Sequence, residues 1–292
     1  MSAVASLSES REVRDGAAAI ALAPVRQIGG VDIRFARRGA TTVAMDRAEA
    51  GGYRVRTPSS EFGAEAVLMN TGGGLVGGDR AEQRIALHDD AVALVTTSAA
   101  ERVYRSLGPP ARVAVDLTVA EHARLAWLPQ ETILYDGARL ERTIDASIAG
   151  SGTLLAAEVT ALGRRASGEQ MRSGAIMDRW RIRRDGRLAY ADSYVIDGAL
   201  DAMMARRAVG AGASVFGTLL YLAHDAETQL DAVRAGIGAW VATAGTCRAA
   251  ASAWNGMLVM RLQGSNLASL RALIVRVVPR LLGRPMPRNW WS

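Results

Sequence analysis

The sequence contains no lysine, so all 35 of its basic residues are arginines. Without lysine the chain has no Schiff-base residue, no lysine general base and no P-loop lysine. Its single cysteine, Cys247, excludes an internal disulfide, and its histidines, His88, His122 and His224, lack the spacing of a metal-ligand motif. We therefore expect no dedicated metal cage and no tightly bound cofactor.

Long apolar runs are also missing, since no stretch reaches the roughly 18 residues that a membrane span needs. No targeting segment is recognisable, and we expect a cytoplasmic protein that does not engage a membrane. Residues 1–22 mix Ser, Ala, Glu and Arg without periodicity, which predicts a flexible N-terminal tail. Residues 23–292 contain no linker-like segment and are predicted to form a single domain.

The net charge of +6 is carried by arginine. Genomic base composition explains such enrichment, and so does a surface that meets acidic partners, because guanidinium groups suit carboxylates and phosphates. One stripe alternates on a strand face opposite Trp180: Arg179, Arg181 and Arg183. A solvated face, an acidic protein partner and a nucleic acid all remain open for this stripe, although no nucleic-acid-binding module is visible. Arg288 and Trp290 are further candidates for partner contact.

Alternation of apolar and polar residues dominates from residue 31 onwards, with turn residues at intervals of about 8 to 15 residues. The segments "VDIRFARRG" and "GYRVRTPS" are predicted to be a hairpin or neighbouring strands. Within "DRWRIRRDGRLAYADSYVID", Asp185 and Gly186 predict the two-residue turn of a second hairpin. These patterns predict a mainly β fold.

Helical periodicity is confined to two late segments. In "DAETQLDAVRAGIGAW" the apolar residues recur at helical spacing, and Asp225 is a possible N-cap. In "SNLASLRALIVRVVPRLLG" one apolar stripe predicts a packed helix, which Pro279 should kink or end. The fold class is therefore β-rich and helix-decorated, with a partly helical C-terminal third.

The segment "NTGGGLVGGDR" at residues 70–80 concentrates five glycines: Gly72, Gly73, Gly74, Gly77 and Gly78. Its letters match a dinucleotide fingerprint and the outer spacing of a P-loop, so a nucleotide-dependent enzyme is one hypothesis. Both motifs fail in context, because "AEQRIALH" after the loop predicts a strand, and Gly78 and Asp79 stand where a P-loop needs lysine and then serine or threonine. The alternatives are a tight turn in which Asp79 bonds local amides, or a turn that aims Asp79 into a polar passage or a partner surface.

This loop and several later segments resemble the urease accessory protein D family, also called UreH in some bacteria. The later segments, in order, are "TTSAAERVYRS", "WLPQETILYDGARL", "GRRASGE", "RDGRL" and "PRNW". The resemblance covers roughly residues 28–292. Gly73 departs from the alanine that is frequent in the family, and Trp291 and Ser292 extend beyond its usual end.

The resemblance implies a non-enzymatic urease maturation factor with a mainly β, helix-decorated fold. Members of this family bind the urease apoprotein and assemble with accessory proteins F and G, of which G is a GTPase and holds the nucleotide. Nickel is thought to pass from the G dimer through a water-filled tunnel in the D protein to urease. The same resemblance implies a protein without catalytic residues, with Ni²⁺ in transit rather than as a cofactor.

Four acidic residues within the shared motifs are candidates for lining that passage: Asp79, Glu101, Glu131 and Glu169. A conduit must release its ion, and sparse carboxylates hold Ni²⁺ less firmly than clustered imidazoles and thiolates. We expect transient Ni²⁺ at Asp79 and Glu169 and no tight site. Each acid also has a purely structural interpretation: Glu101 pairs with Arg102 or Arg105 at the surface, Glu131 faces solvent on an alternating strand, and Glu169 closes a turn after Gly168.

Overall fold

The computed structural model describes residues 26–60, 63–244 and 246–291. The flexible tail predicted over residues 1–22 lies outside these ranges, and the single domain predicted over 23–292 stays a prediction. Strands make up most of what is described, and a long helix lies near the C-terminus. The β-rich fold class with a partly helical C-terminal third is therefore confirmed.

One sheet contains seven strands: β1 (Ile28–Arg38), β2 (Thr41–Ala50), β5 (Arg80–Leu87), β8 (Ala111–Val119), β11 (Arg139–Ile148), β13 (Ser173–Arg184) and β14 (Arg187–Ala199). Their order across this first sheet is β14-β13-β11-β8-β5-β1-β2. The strands from β1 to β13 pair in parallel, while the hairpin strands β2 and β14 form the two antiparallel edges.

The second sheet has ten strands: β3 (Tyr53–Arg56), β4 (Ala64–Asn70), β6 (Val92–Thr97), β7 (Glu101–Val103), β9 (Arg124–Leu128), β10 (Thr132–Leu134), β12 (Thr153–Leu162), β15 (Val215–Leu222), β16 (Cys247–Trp254) and β17 (Met257–Gly264). Its main order is β16-β17-β15-β12-β9-β6-β4-β3. The short strand β10 pairs with β12 and with β7.

Between β4 and β13 the chain coils repeatedly from one sheet to the other. Strands one coil apart pair in parallel, as β4 does with β6, β5 with β8 and β9 with β12. Parallel strands need crossover connections, and here strands of the opposite sheet supply them. The turn residues that recur between the strands in the sequence correspond to the passages from one sheet to the other.

The burial of each strand follows from its layer. In β11 buried and exposed positions alternate, because one face of the first sheet covers the core and the other faces solvent. In β12 nearly every residue is buried: Leu154 and Ala156 join the cluster between the sheets, while Leu155 and Ala157 join the cluster under the helices. The second sheet is thus the middle layer of three.

The helices are α1 (Leu200–Ala205), α2 (Leu230–Ala244) and α3 (Leu267–Leu282). Helix α3 begins after Asn266, whose side chain accepts a hydrogen bond from the Ser269 amide at 3.0 Å. Its buried stripe confirms the predicted packing face and is formed by Leu270, Leu273, Ile274, Val277, Val278 and Leu281. Each such side chain contributes about 1.5–3 kcal/mol when fully buried. Within the described ranges no helix has both the length and the apolar character of a membrane span.

One predicted helix boundary is wrong, and one is met only in part. Helix α3 does not end at Pro279 but continues to Leu282, where Gly283 ends it with a φ of 69°, while the alternative of a kink at Pro279 stays a prediction. Asp225 does not cap α2, which begins at Leu230 after a 3₁₀ turn. Its carboxylate accepts hydrogen bonds from the Tyr221 hydroxyl and the Gln229 amide side chain instead.

The two hairpin predictions differ in outcome. Asp185 and Gly186 form the turn between β13 and β14 with φ angles of 50° and 74°, as a type I′ turn requires. The first hairpin is wrong, because β1 pairs with β2 and lies in a different sheet from β3. The sequence of β2 is mostly exposed and carries little apolar alternation, so its pattern did not reveal it.

Candidate functional site

The glycine loop connects β4 to β5 and depends on glycine for two physical reasons. Gly73, Gly74 and Gly78 have φ angles of 79°, 143° and 90°, which other residues rarely adopt. At Gly77 a Cβ would lie 1.9 Å from the Ser106 Oγ and 2.6 Å from the Pro109 carbonyl oxygen. The loop therefore turns tightly and allows a neighbouring segment to approach its backbone.

Backbone amides of this loop already have partners inside the protein. The bonds are from Gly72 to Asn70 Oδ1 (3.0 Å), from Leu75 to the Arg102 carbonyl (2.7 Å), from Val76 to Asp79 Oδ2 (2.8 Å) and from Gly78 to the Pro110 carbonyl (3.1 Å). A strand, β5, follows the loop where a dinucleotide fingerprint requires a helix. The loop thus lacks the helix that would hold a phosphate, and several of its amides are already engaged.

Asp79 is the turn acid of this loop and is only 3% exposed. Its Oδ1 accepts a hydrogen bond from the Gln27 amide at 2.8 Å, and its Oδ2 accepts one from the Val76 amide at the same distance. The carboxylate consequently closes the turn and ties the start of β1 to it. A carboxylate oxygen has further lone pairs, so this local role is compatible with a second contact.

Glu101 opens β7 beside the loop, and its carboxylate is held by neutral donors. Its Oε2 accepts a hydrogen bond from the Tyr53 hydroxyl at 3.3 Å, and its Oε1 accepts one from the Asn70 side-chain amide at 3.0 Å. Within the described ranges no arginine forms an ion pair with Glu101, and Arg105 pairs with Asp136 instead. The surface ion pair weighed for Glu101 is therefore not formed.

Burial raises the pKa of Glu101 to about 7, although the hydrogen bonds from Asn70 and Tyr53 oppose the shift. Burial also raises the pKa of Tyr53, and the charges of Glu101 and Asp79 add to that effect. Asp79 and Glu101 thus flank the same tyrosine. Near neutral pH Glu101 exchanges between its protonated and ionised forms.

Two adjoining cavities meet at Glu101, which lines both of them together with Gln83 and Thr97. The outer cavity has a volume of about 200 Å³ and borders the glycine loop. The inner cavity has a volume of about 40 Å³ and reaches Arg142 and Glu158 between the sheets. Each has room for at least one water, which needs about 10–15 Å³ of accessible cavity volume. The outer cavity mixes polar and apolar lining, whereas the inner one is lined mainly by apolar side chains with a few polar groups among them.

The inner cavity ends at a buried ionic network that the sequence patterns did not single out. Arg142 of β11 donates to Asp178 Oδ2 of β13 at 2.8 Å and to Glu158 Oε2 of β12 at 2.6 Å. The Trp127 indole donates to the other oxygen of Glu158 at 2.9 Å. The network joins the two sheets. The sequence contained one signal for it, since Arg142 occupies a core-facing position of an alternating strand.

The protonation of this network follows from its burial. Burial raises the pKa of Glu158 against the opposing influence of Arg142. Burial alone would lower the pKa of Arg142, but the neighbouring Asp178 and Glu158 charges outweigh it and raise that pKa. Arg142 therefore stays charged, and the two carboxyl groups share one cation.

Glu131 lies immediately before β10 and is ion-paired. Its Oε2 is 3.3 Å from Nη1 of Arg271, and its side chain is 12% exposed. The solvent-facing alternative for Glu131 is therefore wrong. Its carbonyl oxygen accepts the Glu101 amide at 2.9 Å, which places it next to the Glu101 cavity.

Glu169 closes the turn that follows a 3₁₀ helix, Arg165–Ser167. Its Oε2 accepts from Arg164 Nε at 2.6 Å, and its Oε1 accepts from the Asp136 amide at 3.3 Å. It lines a separate open pocket of about 690 Å³. The structure thus brings Asp79 and Glu101 to the same tyrosine, Tyr53, whereas the carboxylates of Glu131 and Glu169 line two other pockets.

Metal-ligating side chains do not cluster in the described part of the chain. No group of three or more His, Cys, Asp or Glu residues lies close enough there to hold a metal ion. The acids instead stand singly along cavities and turns, each with its own donors.

The family model described as UreD urease accessory protein matches residues 27–291. The chain belongs to the UreD family. Among its relatives, urease accessory protein UreD 1 of Methylobacterium radiotolerans is 47% identical over 274 residues, covering 92% of this chain and 94% of that protein. UreD 3 of Methylorubrum extorquens is 45% identical over 276 residues, covering 92% of both chains. UreD of Rhodopseudomonas palustris strain HaA2 is 44% identical over 245 residues, covering 83% of this chain and 85% of that protein. As a UreD family member, the chain is a urease accessory protein involved in urease maturation.

The arginine stripe of this UreD chain lies on the outer face of the first sheet. Arg183 is 3.6 Å from Asp145, and ion pairs such as Arg112 with Glu141 at 2.7 Å share that face. The stripe is therefore part of a mixed-charge surface. Its contact with a partner stays a prediction.

Trp290 differs from the surface role predicted for it. It is only 3% exposed, and its indole donates to the Leu128 carbonyl at 3.1 Å. Arg271 covers its ring at 5.2 Å. The indole is a packing element that anchors the C-terminal segment to β9, whereas Arg288 beside it is exposed.

Proposed function

We propose that this UreD family member is a cytoplasmic, non-catalytic scaffold that binds the urease apoprotein and accessory proteins F and G and conducts Ni²⁺ towards the urease active site. The observation that carries the proposal is Glu101: a partly buried carboxylate with neutral hydrogen-bond donors, at the junction of two cavities. The ion enters beside the glycine loop and moves inward past this carboxylate.

The chemistry of the route suits transport better than storage. Oxygen ligands hold Ni²⁺ more weakly than imidazole or thiolate, so single carboxylates with water let the ion move on. Several weak sites in sequence permit both entry and exit, as in ion channels. The nucleotide that drives the assembly belongs to the G protein.

Proton exchange at Glu101 accompanies the passage. The carboxyl group retains a proton near neutral pH when no cation is near, because its site is poorly solvated. An approaching divalent ion favours the ionised form and displaces that proton. The site therefore carries less negative charge when it is empty, and its charge is restored when the ion arrives.

The remaining acids also contact the ion transiently, but each of them already has hydrogen-bond or arginine partners that compete with the ion. Asp79 has to share oxygens that already accept backbone hydrogen bonds. Glu131 and Glu169 have to exchange an arginine partner for the ion. We therefore place Glu101 first in importance and Asp79 second, and we assign to Glu131 and Glu169 only contacts outside the two Glu101 cavities, because they line other pockets.

The test uses Glu101→Gln, Asp79→Asn and Glu169→Gln in a reconstitution with urease apoprotein and the F and G proteins. Glu82→Gln is the matched control, because Glu82 has an exposed side chain on the outer face of the first sheet. We expect all variants to co-purify with urease and F, while Glu101→Gln leaves urease short of nickel by mass spectrometry. Normal nickel loading with Glu101→Gln removes this residue from the mechanism, and failure of the unsubstituted protein to co-purify with urease and F argues against the scaffold role.

A further inference from the structure

A second cavity, distinct from the Glu101 route, lies where β10 and the turn at residues 163–167 meet the start of α3. Its volume is about 730 Å³. We call it the arginine-rimmed pocket and define it by Arg102, Arg164, Arg165, Arg271 and the apolar residues below them. Arg102 also borders the outer Glu101 cavity, so the two cavities are neighbours.

The charge of this pocket is strongly positive. Four guanidinium groups and one carboxylate, Glu131, line it, which leaves three net positive charges. Arg271 is engaged with Glu131, and Arg164 is engaged with Glu169. Arg102 and Arg165 are exposed, and among the described residues their side chains form no hydrogen bond or ion pair. Two guanidinium groups are thus free to take an anionic ligand.

The lower part of the pocket is apolar. Ile133, Ala161, Val215 and Leu267 contribute to its lining. A volume of this size is in the range of sites that hold an organic ligand or several side chains rather than one small ion. An apolar floor with a basic rim is complementary to a ligand that carries both apolar groups and carboxylates.

We propose that the arginine-rimmed pocket docks a short acidic segment of a partner protein, with carboxylates on Arg102 and Arg165 and an apolar side chain on the floor. Guanidinium groups bind carboxylates in a bidentate manner, which gives such a contact both affinity and direction. The proposal rests on the scaffold part of the proposed function and does not require nickel transport. Docking here places the partner beside the mouth of the Glu101 route.

A nucleic acid fits the pocket less well. Single-stranded nucleic acids bind through bases stacked on exposed aromatic rings. The aromatic residue in the lining is Tyr135, whose ring is covered by Arg164 at 4.5 Å and met edge-on by Tyr104 at 4.8 Å. The ring is therefore already occupied.

The test measures fluorescence anisotropy of the full chain with a labelled decapeptide that alternates glutamate and leucine. The same peptide with glutamine in place of glutamate controls for the charge. The pocket variant is Arg102→Gln/Arg165→Gln, and the matched control is Arg187→Gln/Arg206→Gln, whose arginines are exposed and do not line the pocket. All four substitutions are at exposed side chains, so each variant is expected to fold.

We expect the glutamate peptide to bind at least tenfold more tightly than the glutamine peptide, with an affinity that falls as salt rises. The pocket variant should weaken this binding at least tenfold, and the control variant less than twofold. Equal losses in both variants, or no preference for glutamate, overturn the proposal. Tighter binding of a labelled single-stranded RNA that the pocket variant abolishes also overturns it. If the peptide does not bind as expected but urease and F still co-purify with the protein, the docking proposal fails and the proposed function stands. The two proposals can therefore fail independently.

Discussion

Replacing Glu101 by glutamine should stabilise the folded protein at alkaline pH while it impairs nickel delivery. Burial raises the pKa of Glu101 from an ordinary 4.5 to about 7. At 1.36 kcal/mol per unit, the ionised carboxylate costs the folded state about 3 kcal/mol. Glutamine avoids this cost, although it turns one donor towards the donors of Tyr53 and Asn70 and so loses about 1 kcal/mol. The expected net gain is about 2 kcal/mol at pH 8.

The sign of the pH dependence follows from the direction of the shift. Because the folded pKa lies above the unfolded value, the unfolded chain releases the Glu101 proton first as pH rises. The favourable contribution of the protonated side chain is therefore complete below about pH 4.5 and is lost as pH rises through about 7. At pH 5 the glutamine variant should accordingly be no more stable than the unsubstituted protein.

The assay is urea unfolding of both proteins at pH 5, 6, 7 and 8, followed by tryptophan fluorescence, since Trp127 and Trp180 are buried. The difference in unfolding free energy should grow from pH 5 to pH 8 with unchanged m-values. Glu82→Gln should show no such growth. Parallel stability curves for Glu101→Gln and the unsubstituted protein would refute a protonated, poorly solvated Glu101.

Three further outcomes follow from the structure. Arg142→Met should lower the free energy of unfolding by about 3–5 kcal/mol, because it leaves Glu158 and Asp178 buried without their cation. A loss below about 1 kcal/mol, measured by urea titration, would show that the network is dispensable for stability. Gly77→Ala should lower the free energy of unfolding by about 3 kcal/mol through overpacking. Gly73→Ala should lower it by about 1 kcal/mol, because Gly73 has open space around it and the substitution strains only the φ angle. Equal losses would contradict the close approach of the Ser106 segment to Gly77. ATP, GTP and NAD should leave the melting temperature unchanged, since a strand and not a helix follows the loop and several loop amides have internal partners; a clear rise would restore the nucleotide-binding hypothesis.

The sequence predicted individual strands far better than their partners. Alternation located most strands, and the Asp185 and Gly186 pair located the β13–β14 turn, because both signals are local. The parallel coils between the sheets have no local signal, since their pairings join residues far apart in sequence. Strand β2 was missed for a related reason: it is an exposed edge strand whose stability comes from its pairing with β1.

The candidate site shows the same limit. The glycine loop revealed its turn chemistry, and the shared motifs pointed to Glu101, but neither showed that its partners would be Tyr53 and Asn70. The buried network was harder still, because Arg142 meets carboxylates 16 and 36 residues away. A core-facing arginine predicts that a buried anion lies beside it. The local sequence does not show which residue supplies that anion.

Anomalous X-ray diffraction at the nickel edge, on crystals of the protein soaked in Ni²⁺ at pH 8, tests the central claim most directly. We expect nickel density in the outer cavity within coordinating distance of the Glu101 carboxylate, weaker density at pH 6, and none in Glu101→Gln. Density that is absent from this cavity in the unsubstituted protein, or that persists unchanged in Glu101→Gln, would contradict a nickel route past Glu101.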